Sequence, residues 1–450
     1  MKLKRIAFHT LGCKLNFSET STISRSFSKD GFERVEFSDH ADVYVINSCS
    51  VTKNAEKRCK SLIRQVMKRN PEAFVAVVGC YSQLNPEELR KIPGVGLVLG
   101  NAEKFNLFEH IKRLQRLALP AGGAEVPGQR SSAGHRSTMP AFDTEVLPDN
   151  SLEKFIPSWS KDDRTRSFFK IQDGCDYYCT YCTIPLARGH SRSDTIAGTI
   201  ITAREIARSE VREIVLSGVN IGDFGRMHNE RLVDLLRELV KLDGIERIRI
   251  SSVEPDLLHD DIIELVAGEP KLMPHFHIPL QSGSDAVLGA MGRRYNTRIF
   301  KNRVDTIRRL IPGACIAADM IVGFPAETSE LFEESTRFIS DLDVSYIHVF
   351  TYSERDNTRA AGISRNVPVN ERSQRSKRMH LLSENKKMLF YRNNMGQHAT
   401  VLWENENNDG CMFGFTENYI RAKTAFKQDL VNQLQNVVLN KMDHDGVFYV

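Results

Sequence analysis

The stretch SFFKIQDGCDYYCTYCTIP, residues 167–185, decides how this chain is read. It opens as a short apolar, aromatic-rich run, the mark of a buried strand. Gly174 ends the run, and Cys175, Cys179 and Cys182 follow within eight residues. Five more runs of the same character lie downstream: EIVLSGV (213–219), RIRISS (247–252), HFHIPL (275–280), IAADMIVG (316–323) and SYIHVFTY (345–352). Helical segments separate them, such as TIITAREIARS (199–209), RLVDLLRELVKL (231–242) and RIFKNRVDTIRRL (298–310). The spacing leaves room for the crossovers that parallel strands need. Six strand–helix units predict a barrel or partial barrel, whose chemistry belongs at the carboxyl ends of its strands. The three cysteines fall at that mouth, directly after the first strand.

Three thiolates this close in sequence can wrap one metal centre. A closed structural zinc site takes four ligands. No fourth Cys or His follows at the expected spacing, and His190 is a weak candidate. Iron–sulfur clusters are held by thiolates, and three ligands on a four-iron cluster leave one iron open. Three unconnected core cysteines are the bland alternative, which the glycine and aromatic neighbours argue against.

Upstream, residues 1 to about 112 alternate strands with helices, which predicts an open, mostly parallel sheet. KRIAFHTLG, ADVYVINS and AFVAVVG read as strands. NPEELRKI and EKFNLFEHIKRLQRL read as helices, the first capped by Asn85 before Pro86. Cys13, Cys49 and Cys80 each end one strand run, in AFHTLGC, VYVINSC and VAVVGC. Segments after parallel strands gather along one edge of an open sheet. Three cysteines far apart in sequence are therefore expected to converge on a second three-thiolate site. The competing reading is three ordinary buried cysteines, a common fate for this residue. Cys59, Cys315 and Cys411 fit neither set and read as structural.

Composition sets the bounds. The chain has 450 residues, 41% hydrophobic and 26% charged, which excludes a disordered chain and suggests roughly three domains. No run approaches the roughly 18 apolar residues of a membrane span. The amino terminus lacks the apolar region of a signal peptide, so a cytoplasmic location is expected. Nine cysteines are too sparse for a disulfide scaffold. The expected organisation is an amino-terminal domain over residues 1–112, a linker over 113–160, a barrel domain over 161–393, and a small β-barrel over 394–450. The linker is marked by PAGGAEVPGQRSSAGHRSTMP (120–140), and the terminal domain by short strands between Asn, Asp and Gly.

A net charge of +4 implies no polyanion partner without local clustering. Two helices supply it. Residues 53–69 carry seven Lys/Arg against one Glu, and residues 371–393 carry seven against two Glu. Arg64, Lys68 and Arg69 on the first, and Arg375, Lys377 and Arg378 on the second, are candidate phosphate contacts. Arg188 and Arg192, just beyond the cysteine loop, join them. The region from Gly396 onward has four Lys/Arg against seven Asp/Glu, unlike an RNA-gripping module. Aromatic contacts through Phe413, Phe415 and Tyr419 remain open to it.

These motifs resemble the radical S-adenosylmethionine enzymes, through Cx3CxxC after the first barrel strand. GCKLN, NSCSVT and VVGCYSQ are similar to the amino-terminal domain of the methylthiotransferases within that superfamily, and GFTENYIRA resembles a TRAM module. The likeness covers nearly the whole chain. It implies an α/β protein with an amino-terminal open parallel α/β domain, a radical SAM partial (β/α)6 barrel and a small carboxy-terminal TRAM-like β-barrel. It implies two [4Fe-4S] clusters, on Cys175, Cys179 and Cys182 and on Cys13, Cys49 and Cys80, with S-adenosyl-L-methionine as the further cofactor. At the first, S-adenosylmethionine binds the open iron and its reduction yields a 5′-deoxyadenosyl radical. At the second, the open iron holds the sulfur to be delivered. Tyr181 resembles the aromatic residue that lies against the adenine. Ser217, Gly218, Glu254, Gln281, Gly323, Phe324 and Pro325 stand where the superfamily contacts its cofactor. No protein acid or base is expected, because the cofactor carries the chemistry.

Lys14 in LGCKLN, and the NYIRA segment, look most like the branch acting on N6-threonylcarbamoyladenosine beside the tRNA anticodon. The alternatives are isopentenyladenosine tRNA and an aspartate of a ribosomal protein. The implied partners are the tRNA anticodon stem-loop, a reducing electron donor such as flavodoxin or ferredoxin, and a sulfur source. A monomer with no membrane partner is expected.

Overall fold

A computed structural model describes residues 4–28, 31–117, 153–161, 165–364, 366–443 and 446–450. The chain forms two compact units. One comprises Met1–Lys154 with Thr183–His190, and the other Phe155–Cys182 with Ser191–Val450. The linker motif 120–140 lies outside the described residues.

The first unit contains β1 (Lys4–Thr10), α1 (Lys14–Ser28), β2 (Phe32–Val35), β3 (Val43–Ser48), α2 (Lys53–Arg69), β4 (Phe74–Gly79), α3 (Cys80–Leu84), α4 (Pro86–Arg90), β5 (Val95–Leu99) and α5 (Leu107–Leu117). Its sheet runs β2-β1-β3-β4-β5, with every pairing parallel. β3 and β4 are buried along their whole length, as unbroken apolar runs in a two-sided sheet must be. Their side chains alternate between two cores. Tyr44, Ile46, Val75 and Val77 enter one, and Val43, Val45, Ala76 and Val78 the other. Asn85 precedes α4 without a side-chain cap bond, so Pro86 alone marks that helix start. α5 runs to Leu117, past the boundary expected at residue 112.

The second unit begins with β6 (Ser158–Trp159), β7 (Arg166–Lys170) and β8 (Gln172–Asp173). The chain then gives α6 (Ile184–Arg188) to the first unit and returns as β9 (Arg192–Ser193). There follow α7 (Ile196–Ala207), β10 (Glu213–Ser217), α8 (Leu232–Leu239), β11 (Arg247–Ile250), α9 (Asp260–Gly268), β12 (His275–Gln281), α10 (Asp285–Met291), α11 (Thr297–Leu310), β13 (Cys315–Val322), α12 (Ser329–Asp341) and β14 (Tyr346–Thr351). β11-β10-β7 and β12-β13-β14 are parallel ladders. The bridges Ile248–Leu272 and Ser252–His277 join them. The six strands thus stand in sequence order as a partial barrel. β6, inside the expected linker, instead pairs antiparallel with β7.

Phe169, Ile214, Leu216, Ile248, Ile250, Phe276 and Ile278 belong to the apolar layer with the surrounding helices. The alternate positions, among them Arg166, Glu213, Arg247, Arg249, His277 and Asp319, therefore face the lumen.

α13 (Val369–Asn393) leads to β15 (His398–Trp403), β16 (Cys411–Phe415), β17 (Arg421–Ala425), β18 (Leu434–Val438), β19 (Lys441–Met442) and β20 (Phe448–Tyr449). This curled sheet, ordered β18-β15-β16-β17-β20-β19, packs Val401, Trp403, Met412, Ile420 and Phe448 against Phe390 and Tyr391 of α13. It also covers the amino ends of the barrel strands. Arg166 Nη2 donates to Glu404 at 2.8 Å, and Arg249 Nη1 to the Glu417 carbonyl at 2.9 Å. Phe415 and Tyr419 stack at 4.6 Å, with the guanidiniums of Arg166 and Arg249 over them at 4.7 and 4.8 Å. Phe415 and Tyr419 are thus committed to the barrel floor rather than to an aromatic surface. Among the described residues no helix is long and apolar enough to cross a membrane.

Candidate metal centres

In the first unit the sheet order decides the site. β1, β3 and β4 are adjacent and parallel, so their carboxyl ends lie side by side at about 4.8 Å spacing. Cys13, Cys49 and Cys80 follow those three ends. Two glycines make the approach possible. Gly12, at φ 99°, leaves no room for a side chain, because a Cβ there would stand 2.7 Å from Cys49 Sγ. Gly79, also at φ 99°, faces Asn47 Oδ1 at 2.4 Å in the same way. Asn16 ties the loops together, its Nδ2 donating to the carbonyls of Leu11 (2.8 Å) and Ser48 (3.0 Å). Burial pushes the Cys49 thiol up to about 12, Cys80 and Cys13 push the same way, and Arg188 opposes them. The three sulfurs therefore feel one another.

Sequence reasoning missed what surrounds this group. Arg188 is buried, and its Nη2 donates to Asn16 Oδ1 at 2.7 Å and Glu19 Oε2 at 3.0 Å. Lys104 Nζ donates to the same carboxylate at 2.6 Å and to Asn101 Oδ1 at 2.7 Å. Asn101 Nδ2 lies 3.7 Å from Cys80 Sγ. Glu19, the single acidic residue of α1 and fully buried, is the signal that could have pointed to this network.

In the second unit the cysteine loop leaves β8 through Gly174 at φ 70°. Asp173 anchors it, accepting from Gly174 N at 2.9 Å and from Arg192 Nη2 at 3.3 Å. Gln172 adds bonds to the Gly174 carbonyl (2.8 Å) and from Asn220 N (2.8 Å). Burial pushes the Cys175 thiol up to about 12, and Cys182 and Cys179 add to that. Arg293, also absent from the sequence reading, donates from Nη1 to Cys179 Sγ at 3.1 Å and forms an ion pair with Glu254. Burial raises the Glu254 carboxyl, and Arg293 opposes the rise. Tyr181 meets Phe324 edge-on at 6.3 Å between centroids. Glu254, Tyr181 and Phe324 thus gather at the cysteine loop.

The remaining candidates take separate places. Ser217 is buried at the end of β10, and Gly218 lies against Gln172. Gln281 closes β12 at φ 65° beside a register shift. Gly323 donates its N–H to Glu327 Oε2 at 2.7 Å, and Phe324 and Pro325 are buried. Deeper in the lumen, His277 links Ser252 Oγ (2.7 Å at Nδ1) to Asp319 Oδ1 (2.7 Å at Nε2).

Three of the candidate phosphate contacts are corrected. Arg188, Arg192 and Arg375 are buried, each pairing with a carboxylate that offsets its desolvation. Arg375 Nη1 binds Glu327 Oε2 at 2.6 Å and so fixes the loop that carries Gly323. Arg378 is half-exposed but paired with Glu333. Lys377 is exposed, as are Arg64, Lys68 and Arg69 of α2. Cys59 and Cys315 are fully buried in apolar cores.

Among the described residues, each thiol group has three members. That donor set fits a four-iron cluster with one open iron, and it falls short of the four ligands of a closed zinc site. Two family models match the chain: Uncharacterized protein family UPF0004 over residues 5–100, and Radical SAM superfamily over residues 169–339. The Threonylcarbamoyladenosine tRNA methylthiotransferase MtaB of Bacillus subtilis is 35% identical over 442 residues, 97% of this chain and 94% of that protein. The protein of the same name from Aquifex aeolicus is 34% identical over 420 residues, 93% of this chain and 96% of its own length. Among solved structures, the radical S-adenosylmethionine methyltransferase TsrM from Kitasatospora setae shares the fold. Its TM-score is 0.53 at 14% identity, covering 80% of this chain and 77% of that one.

Proposed function

This chain belongs to the radical S-adenosylmethionine methylthiotransferase family, and from that premise we propose that it places a methylthio group on C2 of N6-threonylcarbamoyladenosine beside the anticodon of tRNA. The observation that carries the proposal is the pairing of two three-thiol groups in one chain, each at the carboxyl ends of parallel strands. Cys175, Cys179 and Cys182 would hold one [4Fe-4S] cluster, and Cys13, Cys49 and Cys80 the other. When bound, the clusters and S-adenosylmethionine supply the radical chemistry for an unreactive C–H bond and the sulfur that replaces its hydrogen.

The protein's own part is placement. Arg293, fixed by Glu254, orients Cys179 through its N–H contact with the sulfur. Tyr181 and Phe324 offer an aromatic edge beside the cysteine loop. The apolar side chains of the barrel strands pack outward against the helices, and the lumen carries hydrogen-bonding groups, Ser252, His277 and Asp319, of the kind that orient a ligand. Mass spectrometry of tRNA nucleosides from a deletion strain tests the proposal. The 2-methylthio derivative of threonylcarbamoyladenosine should vanish, and the unmodified parent should accumulate. Normal tRNA with an altered ribosomal protein would transfer the activity to the protein-directed branch.

Metal content follows from the same reading. Anaerobic reconstitution should give about eight irons per chain, and replacing either cysteine trio with alanine should leave about four. Colorimetric iron and sulfide assays on both triple variants measure this. A Cys13, Cys49 and Cys80 variant that keeps all its iron would refute the strand-end convergence.

α2 offers the larger set of exposed cations for RNA. Its Thr52 cap accepts from Ala55 N at 3.2 Å, and it presents Lys53, Lys57, Arg58, Arg64, Lys68 and Arg69 to solvent. Each neutralised phosphate adds about −0.7 to −0.9 to the slope of log affinity against log salt. Changing Arg64, Lys68 and Arg69 to Gln should therefore flatten that slope by about two units for tRNA, without loss of iron. An unchanged slope in filter binding or anisotropy titrations would remove α2 from the RNA surface.

A further inference from the structure

Arg188, Glu19 and Lys104 form a buried charged network inside the first unit, with side chains 1%, 0% and 1% exposed. Burying ions costs free energy that apolar residues of the same volume would avoid. The network's neighbours suggest what it is for. Asn16 joins the Arg188 fork (2.7 Å) to the backbone on either side of the thiol group, at Leu11 and Ser48. Asn101 joins the Ala187 carbonyl (2.7 Å) to Cys80 Sγ (3.7 Å). Both amides thus clamp the 187–188 segment against the cysteines, and the two-point bond to Glu19 fixes the orientation of the guanidinium.

We propose that Arg188 is a positioning residue of the Cys13, Cys49 and Cys80 centre, whose fixed positive charge raises the reduction potential of the cluster held there. The inference rests on the reading that these three cysteines hold a cluster. Reduction adds one negative charge to a cluster, and an adjacent cation favours the more negative state. In a buried site that interaction is weakly screened. The geometry puts the cation at the group: Asn16 ties the Arg188 guanidinium to the Leu11 and Ser48 carbonyls beside Cys13 and Cys49. Glu19 acts in the opposite direction, so the pair sets the local field as a unit.

The test uses the full-length chain carrying Cys175→Ala, Cys179→Ala and Cys182→Ala, which retains one cluster, in a redox titration followed by electron paramagnetic resonance. Arg188→Gln should lower the reduced-to-oxidised ratio at fixed potential about tenfold, which is about 59 mV for a one-electron couple. Glu19→Gln should shift the potential the other way. The double variant should return close to the parent, an outcome that a purely structural role does not produce. Potentials that ignore these charges, or that shift with the same sign in both single variants, overturn the inference. If Arg188→Gln fails to hold iron, Glu19→Gln decides: a positive shift supports the inference, and any other result rejects it. A parent protein without iron would instead defeat the cluster reading itself.

Discussion

Cys179→Ala should abolish reductive cleavage of S-adenosylmethionine, whereas Cys49→Ala should leave 5′-deoxyadenosine formation intact and remove the methylthiolated nucleoside. The expectation comes from where each thiol group is built. Cys179 sits in a loop anchored by Asp173 and Gln172 and receives Arg293 on its sulfur. All of these residues belong to the second unit. Cys49 is buried at the end of β3, between Gly12 and the β4 end, in the first. Each loop is held by bonds inside its own unit, so losing one thiol should not dismantle the other group. Anaerobic assays with a chemical reductant, read by liquid chromatography and mass spectrometry, give both products from one sample. Loss of cleavage to background in both variants would show that the amino-terminal group has only a structural role.

The convergence of Cys13, Cys49 and Cys80 was legible because it depends on backbone topology. Apolar runs with a cysteine at each end specify parallel strands, and parallel strands align their ends. The six barrel strands were legible for the same reason. Side-chain direction was not. The basic helix 371–393 reads as a charged face, yet Arg372, Arg375, Met379 and Ser383 recur at helical spacing and are buried, as are Phe390 and Tyr391. The methionine in that stripe was the available clue that its arginines point inward. Arg293 and Arg294 are adjacent in sequence and diverge completely. Arg293 contacts Cys179, and the Arg294 guanidinium lies 4.2 Å from the Tyr177 ring centroid. The acidity of the terminal domain was legible in its composition, but where its carboxylates point was not. Glu404 faces Arg166, and Glu417 faces Arg247, on the barrel floor. An internal partner satisfies those charges, and composition cannot distinguish it from an external one.

That floor carries the largest expected stability effect. Glu213 is completely buried. It accepts from Arg249 Nε at 2.9 Å and lies 3.8 Å from Arg247 Nη1. Burial alone would raise its carboxyl, yet Arg249, Arg166 and Arg247 hold it below the usual range. Glu213→Gln leaves these buried guanidiniums without their shared carboxylate, a change that costs about 3–5 kcal/mol when one partner of a buried pair is removed. A carboxyl depressed in the folded state binds fewer protons there than in the unfolded chain. Its contribution is therefore complete above the ordinary carboxylate range and is lost as pH falls through the folded value. The acid-side decline in stability should accordingly be shallower in Glu213→Gln. Deleting residues 396–450 strips the same arginines of the Glu404 carboxylate and of the Phe415, Thr416 and Glu417 carbonyls. It should yield aggregated or unfolded chain rather than a folded enzyme with weaker RNA affinity. Urea midpoints and soluble yield measure both changes. A truncated chain that unfolds at the wild-type midpoint would show that the terminal sheet is an independent appendage and that the arginine floor stands without it.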